Sequence, residues 1–134
     1  MIDERAIPIL RELSELAPLH NPPSLAGIRA TRAALGPSIP MVAAFDTSFH
    51  HTIPQYASTY AIPGELASKH GIHRYGFHGL AHEYSALRYG ELTGKPKNEI
   101  DIITRHLGNG RSACAIRAGV SGIRRWALHR WKVW

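Results

Sequence analysis

The stretch that most limits what this chain can become is Ile102-Ile103-Thr104-Arg105-His106-Leu107-Gly108-Asn109-Gly110-Arg111-Ser112-Ala113-Cys114-Ala115-Ile116. Ile100, Ile102 and Ile103 are β-branched and apolar, as a buried strand requires. Gly108-Asn109-Gly110 tolerates positive φ throughout, which suits a tight turn between two strands. The segment therefore predicts a β-hairpin. Two uses of that hairpin are open. Without side chains at Gly108 and Gly110, backbone N–H groups can approach a phosphate, with His106, Asn109 and Ser112 as further donors at the mouth. The other is a plain hairpin that carries a surface histidine, which short glycine motifs more often are.

A chain of 134 residues is one domain's worth, and 44% hydrophobic with 19% charged residues is globular composition. Cys114 is the single cysteine, so no disulfide forms within the chain, and its strand position reads as a small buried hydrophobe. The first ten residues carry acidic side chains and no apolar run, unlike a secretory leader, and no stretch has the length of a membrane span. A cytoplasmic location is the expectation. The net charge of +6 raises the question of nucleic acid. Arg124, Arg125, Arg130 and Lys132 crowd the last residues together with Trp126, Trp131 and Trp134, so the basic character belongs to a tail and not to a folded face. Neither nucleic acid nor membrane is expected as a partner.

Along the chain, Ile7, Leu10, Leu13 and Leu16 share a helical face within Ile2 to Leu16, with Pro8 shifting the start. Asn21 is a good N-cap and Pro22 a good first helical residue, predicting a helix to Leu35. Met41-Val42-Ala43-Ala44-Phe45 reads as a buried strand that delivers Asp46 at its carboxyl end. An aspartate there can hold Mg²⁺ or orient a reacting group, or it can cap its own turn through Thr47 or Ser48. Thr47 to Ile62 has no regular pattern, and Glu65 to Lys69 forms a short helix stopped by Gly71. In Tyr75-Gly76-Phe77-His78-Gly79 the glycines leave the backbone around His78 open, and a helix from about Ala81 to Leu92, closed by Gly94 and Pro96, places His78 just before a helix N-terminus, where anions bind. His78 and His82 lack the glutamate of a zinc motif, and Gly79 between them is a poor helix residue. A zinc site is not expected there, and His50-His51 and His70/His73 likewise read as solvated or core histidines and not as ligands.

Four blocks, in order, resemble the middle of an acetate kinase. They are Ala17-Pro18-Leu19-His20-Asn21-Pro22, Phe45-Asp46-Thr47-Ser48-Phe49-His50, Arg74-Tyr75-Gly76-Phe77-His78-Gly79 with His82, and His106-Leu107-Gly108-Asn109-Gly110-Arg111-Ser112. The resemblance implies an α/β fold that is a piece of an actin-like (ribonuclease H-like) two-domain ATPase, a mixed sheet with flanking helices. Residues 1–46 would end the first kinase domain. Residues 47–119 would start the second, with a substrate loop, a long helix and the phosphate hairpin. Residues 120–134 would be an aberrant, frameshifted or disordered tail.

The implied reaction is reversible transfer of the ATP γ-phosphoryl group to acetate, with Mg²⁺, in a homodimer, and with propionate or butyrate as alternative acids. By the same resemblance His78 contacts the phosphoryl group in flight and Asp46 acts near the metal and substrate. His106, Leu107, Gly108, Asn109 and Gly110 hold ATP phosphates, Phe77 walls the acid, and His20 lies close by. The family's N-terminal phosphate loop, its early carboxylate-binding arginine and its second catalytic arginine have no counterpart in this sequence, so the stretch alone is expected to be inactive, with a non-catalytic phosphate-binding remnant as the alternative. Three positions depart from the family pattern: Arg105 in the strand, Arg111 in the turn, and Leu80 where a small hydroxyl residue would cap the helix.

Overall fold

The computed structural model describes residues 1–127. The chain forms two compact units, Met1–Ala44 and a second that begins at Phe45. The division falls just before the expected boundary after Asp46, so Asp46 belongs with the second unit.

The first unit holds helices α1 (Ala6–Glu12) and α2 (Asn21–Leu35). Helix α1 is shorter than its apolar periodicity. Its start is held by Asp3, whose Oδ1 accepts the N–H groups of Arg5 and Ala6 at 3.0 Å each. The Arg5 guanidinium, followed by the Ala6 N–H, holds the Asp3 carboxyl below its ordinary pKa. Pro8 fits because the first helical turn has no internal use for its missing N–H. Asn21 is not the cap of α2. It lies inside the helix and its Nδ2 donates 2.9 Å to the Leu13 carbonyl, tying the two helices together. Met41–Phe45 is not a buried strand. Val42 and Phe45 are exposed, and the backbone bonds of the segment are isolated ones, Ile2 N–H to the Met41 carbonyl at 2.8 Å and Ser48 N–H to the Phe45 carbonyl at 3.0 Å. A strand needs a neighbouring ladder, and among the described residues none is offered here.

The second unit contains short helices α3 (Gln55–Ser58) and α4 (Gly64–His70), the long helix α5 (Gly79–Thr93), and strands β1 (Ile102–Leu107), β2 (Arg111–Arg117) and β3 (Val120–Ala127). A 3₁₀ turn, Ser48–Thr52, precedes α3, so the stretch read as irregular carries two pieces of helix. Gly71 and Gly94 stop α4 and α5 in the left-handed region, as expected.

The sheet among the described residues is wholly antiparallel, order β1-β2-β3, and not the mixed sheet expected. A mixed sheet needs a crossover strand, and consecutive hairpins supply none. The β1–β2 hairpin forms in the expected place, with Ile102 opposite Ile116 and Leu107 opposite Arg111. None of Gly108, Asn109 and Gly110 uses the left-handed region, however. The left-handed turn is the next one, Ala118 (φ 50°) and Gly119 (φ 70°), between β2 and β3. Asp101 Oδ1 accepts the Ala118 N–H at 2.6 Å and the Ile100 carbonyl accepts the Gly119 N–H at 2.9 Å. After Gly119 the chain continues as β3, Val120–Ala127. Arg124, Arg125 and Trp126 pair within it, and Arg130, Lys132, Trp131 and Trp134 lie outside the described residues.

Phe49, Ala86, Ile100, Cys114 and Ile116 form the core, with Tyr89 and Ile102 against it. Helix α5 reaches it through Gly79, His82, Ala86 and Gly90, which share one face. A Cβ at Gly90 would lie 2.9 Å from Ile100 Cδ1, so that glycine sets how closely α5 approaches the sheet. Arg105 and Arg111 both point to solvent, which removes the cost of burying a cation. No helix among the described residues is long and apolar enough to cross a membrane.

Candidate active site

The second unit brings Asp46, His78 and His106 together. His78 sits at the N-cap of α5 with φ 59° and ψ 24°, an uncommon conformation for a residue with a Cβ. Asp46 holds it there. Its Oδ2 accepts the His78 N–H, its Oδ1 accepts the Leu80 N–H at 3.4 Å, and its carbonyl accepts the Gly79 N–H at 2.8 Å. This is neither of the local roles the sequence left open. Asp46 caps no turn of its own; it caps a helix 32 residues further on. The cap that Leu80 does not supply comes from Asp46. The negative charge that the α5 N-terminus attracts is, in this chain, the protein's own carboxylate.

The glycines around His78 serve the same packing. A Cβ on Gly79 would lie 2.2 Å from the Asp46 carbonyl oxygen, and one on Gly76 (φ 83°) would lie 2.6 Å from the His50 ring. Both glycines are buried. The backbone here is therefore filled by the chain's own atoms and is not left open for a ligand.

The His78 imidazole stacks on that of His106, with ring centroids 4.1 Å apart and planes at 27°. Its Nδ1 lies 2.8 Å from Ser112 Oγ. Ser112 does not stand at the turn's mouth. It is buried, because β2 alternates and its even positions face inward. The same Oγ lies 2.8 Å from Nε2 of His82, whose Nδ1 is 2.7 Å from Thr104 Oγ1. His82 is 1% exposed, and both of its ring nitrogens have hydrogen-bond partners. A parallel set lies alongside. His50 is buried with Nδ1 2.8 Å from Ser121 Oγ and Nε2 3.1 Å from the Phe77 carbonyl. The His50 and His82 rings meet edge to face at 5.8 Å.

Of the remaining expected residues, Leu107, Gly108 and Asn109 are exposed at the hairpin end, and the Gly108 N–H is engaged by the Gly110 carbonyl at 3.1 Å. Phe77 is half-buried beside His78. His20 belongs to the first unit. Sequence reasoning missed the structural use of Ser112, His82 and Thr104. The available signal was the alternation of β1 and β2, which turns Thr104 and Ser112 to the face where α5 packs.

A single carboxylate is a sparse site for a divalent cation, and no group of three or more acidic, histidine or cysteine side chains among the described residues could hold one. Each Asp46 oxygen accepts one N–H and retains a second lone pair, which fits a cation that brings its other ligands with it.

Residues 1–123 match the profile of the Acetokinase family. The chain is 50% identical over 121 residues to the acetate kinase of Chloroherpeton thalassium (strain ATCC 35110 / GB-78) and 51% identical to that of Geobacter sulfurreducens (strain ATCC 51573 / DSM 12127 / PCA), covering 90% of this chain and 29% and 28% of theirs. Among solved structures it resembles a propionate kinase from Francisella tularensis subsp. tularensis SCHU S4 (TM-score 0.86, 39% identity, 95% of this chain, 32% of that one). It also resembles the Porphyromonas gingivalis acetate kinase (TM-score 0.86, 41% identity, 92% and 31%). The chain thus spans about three-tenths of the length of the relatives it matches, and its fold is the corresponding part of their actin-like ATPase fold. By sequence and by fold, the chain belongs to the acetokinase family of phosphotransferases.

Proposed function

We propose that this chain carries the histidine half of a carboxylate-kinase site, in which the γ-phosphoryl group of ATP passes reversibly to acetate. In the forward step a carboxylate oxygen of the acid forms a bond to the γ-phosphorus as the bond to the ADP oxygen breaks. Such transfers need positioning and charge stabilisation more than covalent help from the protein. The observation that carries the reading is the cluster itself: Asp46 fixes the backbone of His78, and the His78 ring stacks on His106 beside the glycine turn. His78 would donate to the phosphoryl oxygens, and His106 with the Leu107–Gly110 turn would meet the nucleotide phosphates. Asp46 would hold Mg²⁺ arriving with the nucleotide, whose charge the metal offsets. Phe77 and His20 would border the acid. A homodimer and a cytoplasmic location complete the reading, with no nucleic acid or membrane as partner. The sequence from residue 120 on we read as an aberrant, frameshifted or disordered tail, and the family match ends close by, at residue 123.

Propionate or butyrate as the acid is a second reading, favoured by the propionate kinase among the similar structures. By itself this stretch is inactive in our reading, because donors from one side cannot surround the transferring group; what it retains is weak binding of anions at the hairpin. The test is acetyl phosphate formation by the purified chain with ATP, Mg²⁺ and acetate. No product is expected, with weak pyrophosphate binding that Asn109→Ala removes. Turnover abolished by His78→Ala would overturn the inactivity, and anion binding indifferent to Asn109→Ala would overturn the hairpin's role.

A further inference from the structure

We infer that His50 is a positioning residue for His78: together with Asp46 it holds the Phe77–His78 peptide by both edges, and so fixes where the His78 ring is presented. The inference rests on the proposed role of His78 and adds to it a residue whose atoms that role does not use.

The peptide is trans, so its carbonyl and its N–H point in opposite directions. Asp46 Oδ2 accepts the N–H, which belongs to His78. The carbonyl, which belongs to Phe77, lies 3.1 Å from His50 Nε2. A carbonyl oxygen only accepts, so His50 Nε2 is the donor, whether or not Nδ1 also carries a proton. Asp46 and His50 therefore reach opposite edges of one peptide plane from a single short segment, His50 standing on the 3₁₀ turn Ser48–Thr52. Turning that plane changes ψ of Phe77 and φ of His78 together. The His78 φ of 59° is disfavoured for a residue with a Cβ, so the plane relaxes unless it is held. One tether leaves it free to pivot about the bonded end, and two do not.

His50 is itself fixed. It is 3% exposed, and Ser121 Oγ lies 2.8 Å from its Nδ1. Ser121 is fully buried near the start of β3, and its carbonyl accepts the Thr52 hydroxyl at 2.8 Å, so one strand residue binds the 3₁₀ turn twice. The rings of Phe49 and His82 meet the His50 ring edge to face, with centroids 5.6 and 5.8 Å away. A Cβ at Gly76 would stand 2.6 Å from His50 Cδ2, so the bare glycine lets the ring lie against the backbone that leads into His78. Support thus runs from β3 through His50 to the peptide, and beyond it the His78 ring stacks on His106. His50 acts through the backbone of His78 and is assigned no contact with the phosphoryl group or the acid.

The test reads geometry and not turnover, so its failure is distinct from failure of the kinase reading. In the 15N-labelled wild-type chain, NMR is expected to show His50 protonated at Nε2 and contacts between the ring protons of His78 and His106. Glutamine places its amide nitrogen where Nε2 stands, whereas asparagine reaches only as far as Nδ1. His50→Gln should therefore keep the ring contacts and the exchange protection of the His78 amide. His50→Asn should lose the ring contacts and lower that protection about fivefold relative to amides of the β1–β2 ladder, as loss of one hydrogen bond implies. A histidine that only fills the core predicts equal behaviour of the two variants. Equal behaviour, or a greater loss in His50→Gln, overturns the inference. An unprotonated Nε2 on His50 in the wild-type chain overturns it without any variant.

Discussion

The unit ending at Ala44 and the unit beginning at Phe45 use their apolar residues in opposite ways. In the first, Leu25 is the one buried hydrophobic residue, while Leu16, Leu19, Leu35 and Val42 lie open to solvent. In the second, a core closes around Phe49, Ala86, Ile100, Cys114 and Ile116. That core is also threaded with polar groups: His50, His82, Thr104, Ser112 and Ser121 are all buried and hydrogen-bonded. The difference teaches where specificity resides. An amphipathic helix pair without a partner face has stripe but no jigsaw, whereas a buried polar network must be satisfied in one geometry or cost several kcal/mol. The candidate site leans on that network, since His78 Nδ1 lies 2.8 Å from the buried Ser112 Oγ.

Substitutions in the two units can break this contrast. The largest effect is expected for His82→Ala, which leaves a cavity and strips both Ser112 and Thr104 of a buried partner. A loss of about 3 kcal/mol is expected, read as a shift of the urea midpoint, and a loss under about 1 kcal/mol would show that the network is ornamental. Asp46→Ala removes the cap of α5 and should cost about 1–2 kcal/mol. Hydrogen exchange sharpens that test, since protection should fall first at the amides of His78 and Leu80. The smallest effect is expected in the first unit: Leu16→Ser, at a 62% exposed position, should change stability by no more than about 0.5 kcal/mol. A larger loss there would mean that the exposed stripe is covered in solution.

What could be read from the sequence was what short range decides. The Ile102–Ile116 hairpin, the glycine stops at Gly71 and Gly94, and the position of His78 before a helix all follow from neighbours in the chain. The roles proposed for Asp46, His78 and His106 in phosphoryl transfer rest on the four family blocks. Where partners are distant, local reasoning failed. Met41–Phe45 has strand composition but no ladder to join. Asp46 was weighed against Thr47 and Ser48, yet its partners are His78 and Leu80. Ser112 looked like a surface donor because its place after a glycine turn is visible in sequence, while the helix that covers it is not. The left-handed turn fell on Ala118–Gly119, and not on the glycine-rich loop, because Asp101 and Ile100 bind its amides.

The Asp46 cap also sets an order of events. A helix the length of α5 is marginal alone in water, and its first turn lacks a side-chain cap from within. The carboxylate that completes it is 32 residues upstream, and closing a loop of that size costs about 3 kcal/mol beyond a constant. A growing chain makes Asp46 first, but Asp46 has nothing to cap until Leu80 has been added. The end of α5 therefore closes late, together with the 3₁₀ turn and the core that draw the two segments near. The left-handed backbone of His78 belongs to the same closure, so whatever draws Asp46 to α5 also sets where the ring is presented.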